Sequence, residues 1–128
     1  MSIPVELDAL EAKTSEYGWA YLLTVNDDQT PKIVAVRPTW DASTLCIDER
    51  GRSARNASAR PTVTLTYPPI DPTGYTLIVD GTATVSSEDR HSGPAIRFSP
   101  IGAVLHRPAP DDFAGSATGC SHDCAPID

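Results

Sequence analysis

Arginine carries most of the positive charge in this 128-residue chain, and its placement is uneven. Lysine occurs only at Lys13 and Lys32, whereas Arg50, Arg52, Arg55 and Arg60 fall in one short stretch with no carboxylate between them. A planar guanidinium fork can hold a phosphate through two parallel hydrogen bonds, so such a cluster suits a small anion. Gly51 allows close approach of the backbone, and Ser53 offers a hydroxyl at a helix-cap position. The same residues also read as a solvated helix face whose arginines pair with Asp48 and Glu49.

Other constellations carry less chemistry. Trp40 follows Arg37-Pro38-Thr39 and offers an aromatic face on which a heterocycle can stack. Trp19 is assigned to the core or to a subunit contact, and Tyr67 to the core or the rim of a ligand site. Cys120, His122 and Cys124 are of the ligand types zinc prefers, but the spacing is not C-x-x-C and only three ligands are local, so no metal is expected. Cys46 reads as a small core residue, and His106 as the end of a strand. No Ser/His/Asp order, paired-carboxylate motif or G-x-G-x-x-G is present, which leaves hydrolase chemistry without support. If the chain is an enzyme, a cofactor carries the chemistry and the protein binds and orients it.

The elements that must position these residues belong to one domain. Seventeen carboxylates against ten Lys/Arg give a net charge of −7, which argues against a nucleic-acid partner, because such proteins need a basic face. A hydrophobic share of 40% argues against intrinsic disorder. No apolar run approaches the roughly 20 residues of a membrane span. The opening M-S-I-P-V-E-L-D lacks an apolar signal core, so a cytoplasmic protein is expected.

Residues 3–16 read as a short amphipathic helix with Ile3, Leu7 and Leu10 on one face. Strands follow at 19–25, 32–40 and 44–48, the last two forming a hairpin. Residues 51–61 hold three alanines and no β-branched residue, and they predict a short helix ending before Pro61. In T-V-T-L-T-Y, Val63, Leu65 and Tyr67 share one face. In residues 75–85, Tyr75, Leu77, Val79, Ala83 and Val85 do the same. The three-proline loop P-P-I-D-P-T-G separates these two strands. A strand pair, or one strand interrupted at Pro100, covers 95–105, and 108–128 is an irregular tail. So many short strands without βαβ alternation close into a barrel or sandwich.

This order of elements resembles the pyridoxamine 5'-phosphate oxidase-like split β-barrel family. In that family a cationic segment between the third and fourth strands grips the phosphate of a flavin or of the deazaflavin F420. The matching stretch is I-D-E-R-G-R-S-A-R-N-A-S-A-R-P-T-V-T-L, residues 47–65, where Arg52, Arg55, Asn56 and Pro61 fit the family's spacing. V-A-V-R-P-T-W is similar to its second strand, with Arg37 as the basic residue that reaches the same phosphate. The resemblance implies a mainly β fold: a six-stranded antiparallel split β-barrel with two short helices over residues 1–107. It also implies a homodimer that binds FMN or F420 between its subunits and passes hydride to or from a small organic substrate. Arg37, Gly51, Arg52, Ser53, Arg55 and Asn56 would surround the phosphate, and Thr39 and Trp40 would border the ring. Ser53 stands where the family often has lysine, and no C-terminal Trp- and Arg-containing segment of true pyridoxamine phosphate oxidases is present. The resemblance therefore points to the superfamily rather than to that activity. A flavin, F420 or haem carrier without turnover is the alternative it leaves.

Overall fold

Alternation of apolar side chains with threonines and charges produces the long strands of this chain, because successive side chains on a strand face opposite ways. The computed structural model describes residues 2–86 and 95–109. The chain opens with strand β1, Ser2–Pro4, a 3-10 turn at Leu7–Ala9 and helix α1, Leu10–Thr14. Strands β2 (Ala20–Val25), β3 (Pro31–Val36), β4 (Thr39–Asp41) and β5 (Thr44–Ile47) follow. After helix α2 (Arg52–Ala59) come β6 (Thr62–Tyr67), β7 (Thr76–Val85) and β8 (Ile96–His106).

All eight strands join one antiparallel sheet in the order β3-β2-β6-β7-β8-β5-β4, with β1 pairing the far end of β8. The sheet curls into a split β-barrel. Its concave face buries Leu22, Leu45, Ile47, Leu65, Leu77, Val79, Ile96 and Phe98 completely. Each such side chain withdrawn from water contributes roughly 1.5–3 kcal/mol before the entropy of ordering is subtracted. Helix α2 turns Ala54 and Ala57 inward and packs on β7 and β2.

Two expectations are corrected. The first is the run 3–16, which is not one helix: Ser2, Ile3 and Pro4 pair with His106, Leu105 and Val104 of β8. Leu7 is 48% exposed, so the helical spacing of Ile3, Leu7 and Leu10 marks no buried face. Pairing with an open stretch of β8 outweighs a weak local periodicity. The second is the run 32–40, which breaks into β3 and β4 at Arg37-Pro38. Proline has no N–H to give a ladder, and it biases the residue before it. These two changes raise the strand count from six to eight.

Pro100, by contrast, does not split the last strand. Asp80 pairs with Gly102 and Gly81 with Pro100, which leaves Ile101 as the extra residue of a β-bulge. The bulge absorbs the missing N–H, and Ile101 points outward at 62% exposure. Gly81 is obligatory here: a Cβ would lie 2.4 Å from the Ser99 carbonyl oxygen and 2.6 Å from Cζ of Phe98. Cys120, His122 and Cys124 lie outside the described residues, as does His91.

Candidate functional site

Helix α2 and the strands beneath it sort the arginine cluster into two kinds. Arg60 is structural: its Nη2 donates to Asp27 Oδ1 and its Nε to the Val25 carbonyl, both at 2.9 Å. Arg50 pairs with Asp48 at 3.4 Å. Arg52 and Arg55 are exposed and have no hydrogen-bond or ion-pair partner among the described residues. Arg37 is likewise exposed and without such a partner. Arg50 alone has the Asp48 partner of the solvated-face reading; Arg60 is held by Asp27 and Val25 instead, and the positive charge of Arg52 is felt by the Asp28 carboxylate.

The start of α2 follows from its sequence. Gly51 takes φ +69°, a conformation that favours glycine, and a Cβ there would meet open space. The first-turn amides of a helix have no intrahelical acceptor, and the helix dipole adds positive potential there. Ser53 is not the cap that its position suggested: Gly51 is the cap residue, and no side chain caps the helix. Ser53 instead turns inward, 1% exposed, and its Oγ has no hydrogen-bond partner. A buried hydroxyl without a partner is costly, so it marks a position where something other than packing is served.

Asn56, also expected at the site, is occupied. Its Nδ2 donates to Thr24 Oγ1 at 3.1 Å and to Asn26 Oδ1 at 2.8 Å, which ties α2 to β2 and to the turn after it. At the helix's far end Arg60 is extended before Pro61, as the sequence predicts.

The expected residues line separate cavities. Arg37 lies in one of about 460 Å³ with Trp19, Ala35, Val36, Asp48 and Glu49. Arg52, Arg55 and Asn56 line another of about 520 Å³, closed on its other side by Asn26, Asp28 and Thr30 of the β2–β3 turn. Gly51 and Arg55 border a third of about 330 Å³ with Ala54, Val85 and Ala95. Trp40 lines a fourth, against Leu10 and Glu11, where its indole Nε1 donates to Thr14 Oγ1 at 2.9 Å. Thr39 pairs with Cys46 on the edge strand β4. Trp40 and Thr39 thus stand apart from the Arg37 cavity, which has Trp19 as its aromatic wall. Trp19 packs edge-on to Tyr21, with ring centroids 4.7 Å apart. The spacing of these two aromatics on one strand face was the available signal that Trp19 looks outward.

Tyr67 closes the inner row of β6, 4% exposed, with its ring edge-on to Tyr17. Burial pushes its phenol up to about 12. His106 ends β8 opposite Ser2 and Thr76, at the strand end where the sequence put it. No helix among the described residues is long and apolar enough to cross a membrane, and none of them form a metal-ligating cluster.

Comparisons with known proteins bear on the whole arrangement. No family model matches the sequence. An uncharacterized protein of Mycobacterium bovis and one of Mycobacterium tuberculosis are each 40% identical over 131 positions, covering 94% of this chain and 92% of the relative. Among solved structures, an F420 reductase aligns with a TM-score of 0.54 at 24% identity, over 73% of this chain and 94% of that one. A putative pyridoxamine 5'-phosphate oxidase from Listeria innocua aligns at 0.61 and 15% identity, over 77% and 96%. An FAD binding protein from Mycobacterium smegmatis aligns at 0.60 and 14% identity, over 84% and 100%.

Proposed function

This chain belongs to the family of those two mycobacterial proteins and has the pyridoxamine 5'-phosphate oxidase-like split-barrel fold, and from that premise we propose that it binds FMN or F420 as a cytoplasmic homodimeric oxidoreductase. The observation that carries the reading is continuity along the chain. Asp48 and Glu49 wall the Arg37 cavity and lead directly into the Gly51 start of α2. A cavity of about 460 Å³ is within the range of small-molecule sites, and the segment that walls it runs on into a helix start with a glycine, first-turn amides and a buried hydroxyl without a partner among the described residues.

In this reading Trp19 and the backbone of Ala35–Arg37 would hold the ring, and the first-turn amides of α2 would hold the phosphate. Arg55 and Arg37 add charge-assisted bonds, and Ser53 Oγ turns about its single χ1 to complete the set. A bound flavin or deazaflavin supplies hydride transfer to or from a small organic substrate. Asp48 and Glu49 would accept from N–H groups of such a ring, and Trp19, Ala35 and Val36 would cover part of its apolar surface. Arg52, Thr39, Trp40 and Asn56, which the sequence resemblance groups with the site, lie outside the Arg37 cavity, and no contact with the ring is assigned to them.

A second copy completes the cavity. Tyr21, Val25 and Ile33 are exposed on the outer face of β2 and β3, and register places Tyr21 beside Ala35 and Leu23 beside Ile33. Trp19 and Ala35, which wall the Arg37 cavity, lie on that same face, so a subunit seated on it covers the cavity's open side.

Titration of the purified protein with FMN and with F420, followed by fluorescence, tests the reading. Saturable binding of either, weakened by Arg37→Ala, is the expected result. Failure of both at high concentration overturns it, and a Soret band in the purified protein would make the chain a haem carrier instead.

A further inference from the structure

We infer that the groove between the first helical turns of the chain and the β4–β5 hairpin binds a small organic cation, an ammonium or guanidinium group carried on an apolar body, independently of the ring-binding cavity. The groove encloses about 380 Å³, within the range of small-molecule sites. Leu7, Leu10, Trp40 and Pro100 supply its apolar walls, and Asp8 and Glu11 supply its charge, with no cation among the lining residues. Leu7 keeps 48% of its surface exposed, and Ile101, next to Pro100, keeps 62%. An apolar body seated in the groove withdraws part of that surface from water.

The walls are fixed by bonds within the protein. Trp40 Nε1 donates to Thr14 Oγ1 at 2.9 Å, and that hydroxyl donates to the Glu11 carbonyl at 2.8 Å, which pins the indole to α1. On the hairpin side Thr44 Oγ1 donates to the Asp41 carbonyl at 3.0 Å. The Val5 N–H donates to the Ala103 carbonyl at 2.9 Å and ties the approach to α1 onto β8. A site held in this way loses little conformational freedom when it binds.

Charge selects the ligand. Asp8 and Glu11 stand three residues apart in successive helical turns, so their side chains are neighbours of like sign. Both are exposed, and their carboxylates have no hydrogen-bond or ion-pair partner among the described residues. Lys13 and Arg97, each two positions from a lining residue, are engaged elsewhere, with Glu16 at 3.4 Å and Asp41 at 2.9 Å. A cation seated between the two carboxylates relieves their repulsion, and an indole face adds its own attraction for positive charge. Apolar walls alone would accept a neutral molecule equally well. The carboxylate pair favours the cation and repels an anion.

Phenethylamine, 2-phenylethanol and phenylacetate carry the same ring and differ in charge. Each is titrated into the 15N-labelled full chain at constant ionic strength and read on the amides of residues 7–11 and 40–44 and on the Trp40 indole N–H. The expected result is saturable shifts with phenethylamine in the millimolar range, binding of 2-phenylethanol about fivefold weaker, and no saturable shift with phenylacetate. Asp8→Asn with Glu11→Gln should bring phenethylamine down to the level of 2-phenylethanol, and because both side chains are exposed the variant keeps the fold. Arg37→Ala should leave phenethylamine binding intact, which keeps this result separate from success or failure of cofactor binding. Shifts that fail to saturate with phenethylamine, that 2-phenylethanol matches, or that keep the parental affinity in the double variant overturn the inference. Shifts of the same amides that follow protein concentration without any probe would give the groove to a second copy of the chain and overturn it as well.

Discussion

Replacing Ser53 by alanine should make the free protein more stable and its cofactor binding weaker. The Ser53 side chain is 1% exposed and its Oγ has no hydrogen-bond partner. A hydroxyl withheld from water without a partner costs about 1–3 kcal/mol. Alanine removes that cost and gains about 0.5 kcal/mol of helix propensity inside α2. It gives up only the few dispersion contacts of one oxygen atom, about 0.1–0.2 kcal/mol each. The net expectation is a gain of about 1–2 kcal/mol, or about 3–8 °C in melting temperature for a chain of this size. With a phosphate seated at the helix start the sign reverses. A hydrogen bond to a charged group is worth about 1.5–3 kcal/mol, so affinity should fall about tenfold or more. Urea unfolding of the free protein, set beside cofactor titration of both forms, measures the two effects separately. A free Ser53→Ala protein that is less stable than the parent would show that the hydroxyl serves the fold. Unchanged affinity would remove Ser53 from the site.

Three further outcomes test other parts of the molecule. Burial raises the Tyr67 phenol from 10.0 to about 12, so the folded state holds that proton more tightly than the unfolded chain. The contribution, about 2–3 kcal/mol, is therefore complete below the unfolded pKa and lost as pH rises through the folded one. Tyr67→Phe should flatten this alkaline loss of stability, and an unchanged alkaline profile would show that Tyr67 does not cause it. Gly81→Ala should destabilise the barrel by about 3 kcal/mol or more in urea unfolding, because the new Cβ meets the Ser99 backbone oxygen at 2.4 Å. A near-neutral result would mean that β7 and β8 can separate at the bulge. Ile33→Asp, on the exposed face of β3, should yield a monomer in sedimentation while leaving the circular dichroism of the barrel unchanged. A stable dimer in that variant would move the subunit contact elsewhere.

The split barrel is shared by a reductase, an oxidase-like protein and an FAD binding protein, so fold by itself does not select among their chemistries. What is particular to this chain is how its cations are distributed. Arg50 and Arg60 are consumed by Asp48 and Asp27. Arg37 faces one cavity, Arg52 faces another, and Arg55 borders both the helix start and the β2–β3 cleft. The cluster in the sequence thus divides in the fold: Arg50 and Arg60 pair with Asp48 and Asp27, while Arg52 and Arg55 line cavities.

The sequence by itself determined β2, β6, β7 and α2. Their signals are local: period-two burial in T-V-T-L-T-Y, an alanine-rich run without β-branched residues, and a proline that ends it. The sequence also marked the arginine cluster, because clustering of charge is visible without coordinates. The short strands β1 and β4 were not legible. Three residues carry no periodicity, and β1 forms only because β8 runs far enough to offer it an open edge. Tertiary structure alone decided which arginines are free, since Asp27 lies thirty-three positions from Arg60 and only the docking of α2 on β2 brings them to 2.9 Å. It also decided that Ser53 faces inward, that Trp40 is held by Thr14, and that Trp19 is the aromatic wall beside Arg37. Residue type and spacing announce what chemistry a segment can do. Which side chains remain available to do it depends on long-range partners that satisfy some of them first.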